Sequence, residues 1–216
     1  MAGAGFLALF LLFSLFVEIW KLNGFDVGAT KSIQAVIPRI LDVPLSFFSL
    51  FGAFEVTSAI LLILIWRVRE LRPYWVFLIL GFGVLVGVET FSKHFLGKIR
   101  PPAIYYRYSL PIFFPTSRVE SKYAYPSGHM GRTTFLLVVF WYLVGTRIKM
   151  GRRKRYYFGL VGVGLLMAIS RVYLGEHWLT DVVGGSLLGI GVGLVSFQAF
   201  SVFGSYLKFL KFPLDS

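Results

Sequence analysis

The chain has 216 residues, 56% of them hydrophobic and 18% aromatic, with a formal net charge of +12 and no cysteine. Apolar stretches of about 20 residues suit a hydrocarbon core about 30 Å thick, which excludes an ordinary soluble domain. The missing cysteine excludes disulfides and thiolate chemistry. The basic residues sit in short loops between apolar runs rather than on one face, which excludes nucleic acid as a partner.

In chain order, six apolar spans are predicted at about 3–20, 49–66, 73–95, 128–146, 156–174 and 178–203, each bounded by charge, proline or polar residues. The first could pass for a leader with Phe6 to Val17 as its apolar core. No basic residue precedes it and no small-residue cleavage site follows, so a retained span is expected. Segment 25–48, broken by Pro38 and Pro44, reads as an interfacial connector. The longest loop is 97–126, where Pro101, Pro102, Pro111, Pro115 and Pro126 forbid a continuous helix. Gly83-x3-Gly87 and Gly185-x3-Gly189-x3-Gly193 read as packing stripes that let backbones approach. The expected fold class is an all-α membrane protein: six transmembrane helices in one bundle, with residues 1–216 a single domain and a core at 73–203.

With both termini inside, the inner loops would hold Arg67, Arg69, Arg72, the run from Arg147 to Arg155, Lys208 and Lys211. That is 11 of the 22 basic residues, a tie. Density breaks it, since six basic residues fall between Arg147 and Arg155. The opposite ends of the spans then face the exterior or periplasm of a multi-pass inner membrane protein.

Those outward ends carry the remaining unusual residues. Lys93 and Arg100 are seven apart, so a helix stopped by Pro101 would align them on one face. They suit an anion, or they snorkel to headgroups. Pro126-Ser127-Gly128-His129 reads as a helix start: Ser127 is a natural cap, and Gly128 permits close approach to the free amides. His129 there either faces a bound anion or is solvated. Arg171 closes the fifth span with a planar fork matched to phosphate oxygens. His177 and Asp181, four apart, would share a helical face, where the carboxylate fixes the imidazole tautomer or both merely cap the helix. An alternating path through the membrane would bring all of these ends to one face.

Together, Lys93-x6-Arg100-Pro101, Pro126-Ser127-Gly128-His129 and Ser170-Arg171-x5-His177-x3-Asp181 resemble the three motifs of the phosphatidic acid phosphatase type 2 superfamily, in order. The resemblance spans 93–181, and the span layout extends it to nearly the whole chain. It implies a lipid phosphatase in which His177 is the nucleophile, Asp181 orients it, and His129 protonates the leaving oxygen. It implies Lys93, Arg100, Ser127, the Gly128 amide and Arg171 as phosphate ligands, with no cofactor and no metal. Trp178-Leu179-Thr180 departs from the aromatic and proline that many relatives carry between the histidine and aspartate. Two accessory candidates stand beside the motifs. Arg132 is within reach of a second phosphate or the loop. Glu176 places a carboxylate beside the nucleophile, where it binds solvent, repels a highly charged substrate or has no role.

The expected partners are a lipid phosphate substrate and membrane lipids. Undecaprenyl diphosphate leads, with phosphatidic acid, phosphatidylglycerophosphate and lipid A as alternatives, and phosphotransfer as an alternative reaction. An anion transporter or channel is the competing class, but it requires polar residues continuing through the last three spans. No feature of the chain encodes oligomeric state.

Overall fold

Proline and glycine cut the apolar sequence into eight α-helices among the residues described by the computed structural model, 2–110 and 122–204. They are α1 (Ala2–Trp20), α2 (Asn23–Val36), α3 (Asp42–Ser49), α4 (Phe54–Arg67), α5 (Trp75–Leu96), α6 (Gly128–Arg147), α7 (Met150–Tyr173) and α8 (Leu179–Phe203). Short 3-10 turns at Arg39–Leu41, Leu50–Gly52, Arg69–Tyr74 and Ala103–Tyr105 link them. Pro111 and Pro115, and Lys208 and Lys211 of the orientation count, lie outside the described residues.

Helix α8 is central, packed between α1, α5 and α6. The reason is its glycine stripe. A side chain at Gly185 or Gly189 would run into the carbonyls of Ser127 and Gly131, and one at Gly193 would press on Val138. Close backbone approach of this kind is how helices associate where lipid removes most of the hydrophobic drive. The other stripe behaves differently: nothing lies within 4 Å of a side chain built at Gly83 or Gly87. A core of Phe10, Leu61, Phe82, Leu85, Phe135 and Val192 fills the space between these helices. The outer faces stay apolar, as with Leu11, Leu12 and Ile19 on α1. Such a surface is stable in lipid and not in water, and the chain is an integral membrane protein.

Among the described residues, four or five candidate spans are found where six were expected. Four helical stretches are long and apolar enough to cross unaided: α1, Arg69–Leu96, α7 and α8. Helix α4 has 14 residues, a rise of about 21 Å against a core of about 30 Å. Helix α6 has the length, at 20 residues, but its opening turns carry His129, Arg132, Thr133 and Thr134, and it ends on Arg147. Helix α7 begins at Met150 rather than near 156, so Arg152 to Arg155 form its first turns.

The connector after α1 is helical and bent. Asn23–Val36 and Arg39–Gly52 meet at 98° and together would count as a fifth, broken span. Pro38 supplies the break, because its ring fixes φ and the residue before it avoids the helical region. Gln34 on α2 donates to the carbonyls of Tyr105 (2.7 Å) and Tyr173 (2.8 Å). The Tyr173 hydroxyl bonds to Pro38 O and Asp42. The connector is thereby fastened to the end of α7.

Candidate active site

Ser127 begins the site. Its hydroxyl accepts from the Met130 amide (3.4 Å), and its own amide donates to Asp181 O (2.9 Å), joining the start of α6 to the start of α8. Among the described residues the amides of Gly128 and His129 donate to nothing, as expected at N1 and N2 of a helix. They form, with the positive helix end, a ready anion site. His129 packs against Gly52, where an added side chain would come within 3.0 Å of the histidine Cβ. It also lies in the field of Arg171, Arg132, Lys93 and the His177 imidazole.

His177 lies just before α8 rather than on it, with Trp178 at the helix cap. Its partner Asp181 is fully buried and accepts from the Trp178 amide (2.8 Å). The His177 Nδ1 stands 3.6 Å from Asp181 Oδ2, adjacent but longer than a hydrogen bond. Burial pushes the His177 imidazole down to about 4, with Arg171 and Lys93 acting the same way and Asp181 opposing them. The ring is therefore neutral at neutral pH. A proton on the nitrogen facing Asp181 leaves the other lone pair free to attack.

The cations arrive from α5, the chain that follows it, α6 and α7. Arg171 is 2% exposed; its guanidinium donates to Ser49 (2.6 Å) and pairs with Glu176. The Glu176 carboxylate thus occupies a guanidinium fork of the kind suited to phosphate. Lys93, in the last turn of α5, pairs with Glu89 (2.7 Å). Lys93 and Arg100 do not share a helix. Gly97 takes the left-handed conformation (φ 59°) and ends α5, and Arg100 follows in extended chain bonded to Lys122 O (3.3 Å). Arg100 remains close enough to Arg171 for the two charges to repel. Arg132 is buried, with its guanidinium on Glu89 (2.6 Å) and on Gly52 O (3.3 Å).

Several site residues escaped the sequence reading. Glu89 bridges Lys93 and Arg132, and its carboxylate fills the space that a Gly128 side chain would need. Lys98 lies between Asp26 (2.7 Å) and Asp181 (2.9 Å). Ser49 and Gly52 come from the connector. Glu89 and Asp26 carried a usable signal, since a carboxylate among apolar helical residues marks function by default.

These fragments, from Lys93 to Asp181, lie within a stretch that the model of a known family matches. The chain belongs to the PAP2 superfamily, whose model matches residues 72–204. Among individual proteins, it is 29% identical over 206 residues to an undecaprenyl-diphosphatase of Sulfolobus acidocaldarius, covering 89% of this chain and 88% of that one. It is 32% identical over 123 residues to phosphatidylglycerophosphatase B of Bacillus subtilis, 55% of either chain. Its fold is similar to the crystal structure of a transmembrane PAP2-type phosphatidylglycerolphosphate phosphatase from Bacillus subtilis. There the TM-score is 0.74 at 20% identity, covering 93% of this chain and 96% of that one.

Proposed function

We propose that this chain is a membrane lipid phosphatase that works through a phosphohistidine, with undecaprenyl diphosphate as its substrate. The observation that carries the reading is a neutral imidazole, His177, backed by the buried Asp181 and faced by Arg171, Lys93, His129 and the start of α6. In the first half-reaction the free His177 nitrogen attacks phosphorus. An N–P bond forms, the P–O bond to the leaving lipid phosphate breaks, and that oxygen takes a proton from His129, which gains it once the bound phosphate's negative charge offsets Arg171, Arg132 and Lys93. Water deprotonated by His129 then attacks phosphorus, breaks the N–P bond and releases phosphate. Arg171, Lys93, Arg100, Ser127 and the Gly128 amide hold the phosphoryl oxygens as charge grows on them.

Phosphate binding begins with an exchange, because Glu176 already occupies Arg171. Arg132 is assigned to support rather than to a second phosphate, since Glu89 and Gly52 engage its guanidinium. The diphosphate assignment draws on the undecaprenyl-diphosphatase likeness, which runs along nearly the whole chain. The site faces outward, a reading supported by the basic cluster from Arg147 to Arg155 at the far ends of α6 and α7.

The test is phosphate release by purified protein in EDTA from undecaprenyl diphosphate, phosphatidic acid and phosphatidylglycerophosphate. A kcat/KM at least about tenfold higher for the diphosphate is expected, with inhibition by vanadate, which mimics five-coordinate phosphorus. A preference for either glycerolipid overturns the substrate, and no release from any of the three overturns the enzyme. Sidedness is read from cysteines placed at Ile104 and Lys149 in this cysteine-free chain. A membrane-impermeant thiol reagent should label the first in intact cells and spare the second.

A further inference from the structure

Asp26, on the connector helix α2, is fully buried although nothing in the three motifs calls for it. Its two oxygens accept from the amide (3.0 Å) and the hydroxyl (2.7 Å) of Thr180, so it caps α8 from another element. Lys98 closes the arrangement. Its ammonium lies 2.7 Å from Asp26 Oδ2 and 2.9 Å from Asp181 Oδ1, and it also bonds to the Thr180 hydroxyl. The Lys98 side chain is 11% exposed and both carboxylates are 0% exposed, so water screens none of these charges well.

The charges in this cluster do not balance. Two carboxylates share one ammonium, and the start of α8 adds about half a positive charge. A negative remainder is left beside His177, whose Nδ1 faces the same Asp181. Uncompensated charge of this kind is costly to bury. It is relieved when His177 forms its bond to phosphorus and the ring becomes positive. Without the Asp26 charge, Lys98 and Asp181 would match one to one, and Asp181 would be withdrawn from the imidazole.

We propose that Asp26 and Lys98 are positioning residues: Asp26 engages Lys98 so that Asp181 keeps its charge available to His177. The role rests on the phosphatase reading above and deepens it, because it places part of the catalytic apparatus on the connector.

A four-member cycle of wild type, Asp26→Asn, Lys98→Met and the double variant tests it, with kcat and KM measured on a lipid phosphate that the wild type hydrolyses. Asparagine keeps an oxygen for the Thr180 amide, which separates charge from capping. Asp26→Asn should lower kcat at least about tenfold with KM within about threefold, the pattern of an interaction made only in the transition state. Removing Lys98 as well should restore turnover at least about fivefold over Asp26→Asn, because no cation then competes for Asp181. In the Lys98→Met background, Asp26→Asn should cost less than about threefold. Should one single variant fail to fold, the other single against the double decides alone. Equal losses from Asp26→Asn in both backgrounds, or wild-type turnover in that variant, overturn the positioning role and leave the phosphatase intact. A wild type inactive on every lipid phosphate instead removes the reaction in which the pair takes part.

Discussion

The two ends of the α6–α7 hairpin treat charge in opposite ways. At the α6 start, Glu89, Arg132, Arg171 and Asp181 are buried, and each carboxylate is shared among several donors. At the other end Arg147 makes a two-pronged pair with Glu70 (2.9 and 2.6 Å), with side chains 47% and 38% exposed. Lys149, Arg152, Lys154 and Arg155 stand exposed nearby. Buried ion pairs bring little net stability, because desolvation consumes most of the attraction. Their concentration at one end therefore points to chemistry, whereas the charges at the other end stay exposed to solvent.

The sharpest way to break this contrast is His177→Ala. Phosphate release should fall about 10^4-fold or more, as when a nucleophile is deleted, while the protein stays helical and monodisperse. Residual activity near wild type would remove the nucleophile and with it the meaning of the buried end. Next comes Glu89→Gln, which keeps the shape but removes the carboxylate that Lys93 and Arg132 share. Breaking a buried pair from one side costs about 3–5 kcal/mol. A clear drop in melting temperature should accompany a loss in kcat of about tenfold or more. A Glu89→Gln protein as stable as wild type would show that water, not protein, surrounds that carboxylate.

Acid should separate the ends as well. The His177 ring takes its proton near 4 in the folded protein and near 6.5 when unfolded. The unfolded state then binds more protons between those values, so stability falls as pH drops through that window. Melting temperatures at pH 7 and 4.5 should diverge more for wild type than for His177→Asn; equal slopes would mean the ring is not the group responsible. The smallest effect belongs to Arg147→Ala. Turnover should change less than about twofold and the melting temperature by only about 1–2 °C, with the difference fading in salt. A large loss there would dissolve the distinction between the ends.

Much of the site was legible because its signals are local. Ser127 caps its helix through residues three apart, and His177 with Asp181 is a matter of four. The packing stripe on α8 was equally visible, since glycines spaced by four can only matter on a helix. Other features depend on contacts distant in sequence. Asp26 meets Thr180 across 154 positions and Ser49 meets Arg171 across 122, and no periodicity announces such pairs. The expectation that Lys93 and Arg100 share a helix failed at Gly97, whose left-handed turn is a strong stop signal placed between them. Two of the six expected spans fall short of crossing unaided, because the opening turns of α6 are polar and α4 is short.

The 98° bend has a practical meaning for engineering. Asp26, Ser49 and Gly52 all precede the stretch matched by the family model. A graft or minimal version cut at residue 72 would keep every signature motif and discard the pieces that brace two arginines and the start of α8. Modularity in this protein ends where the alignment does not: the portable unit has to begin at or before α2.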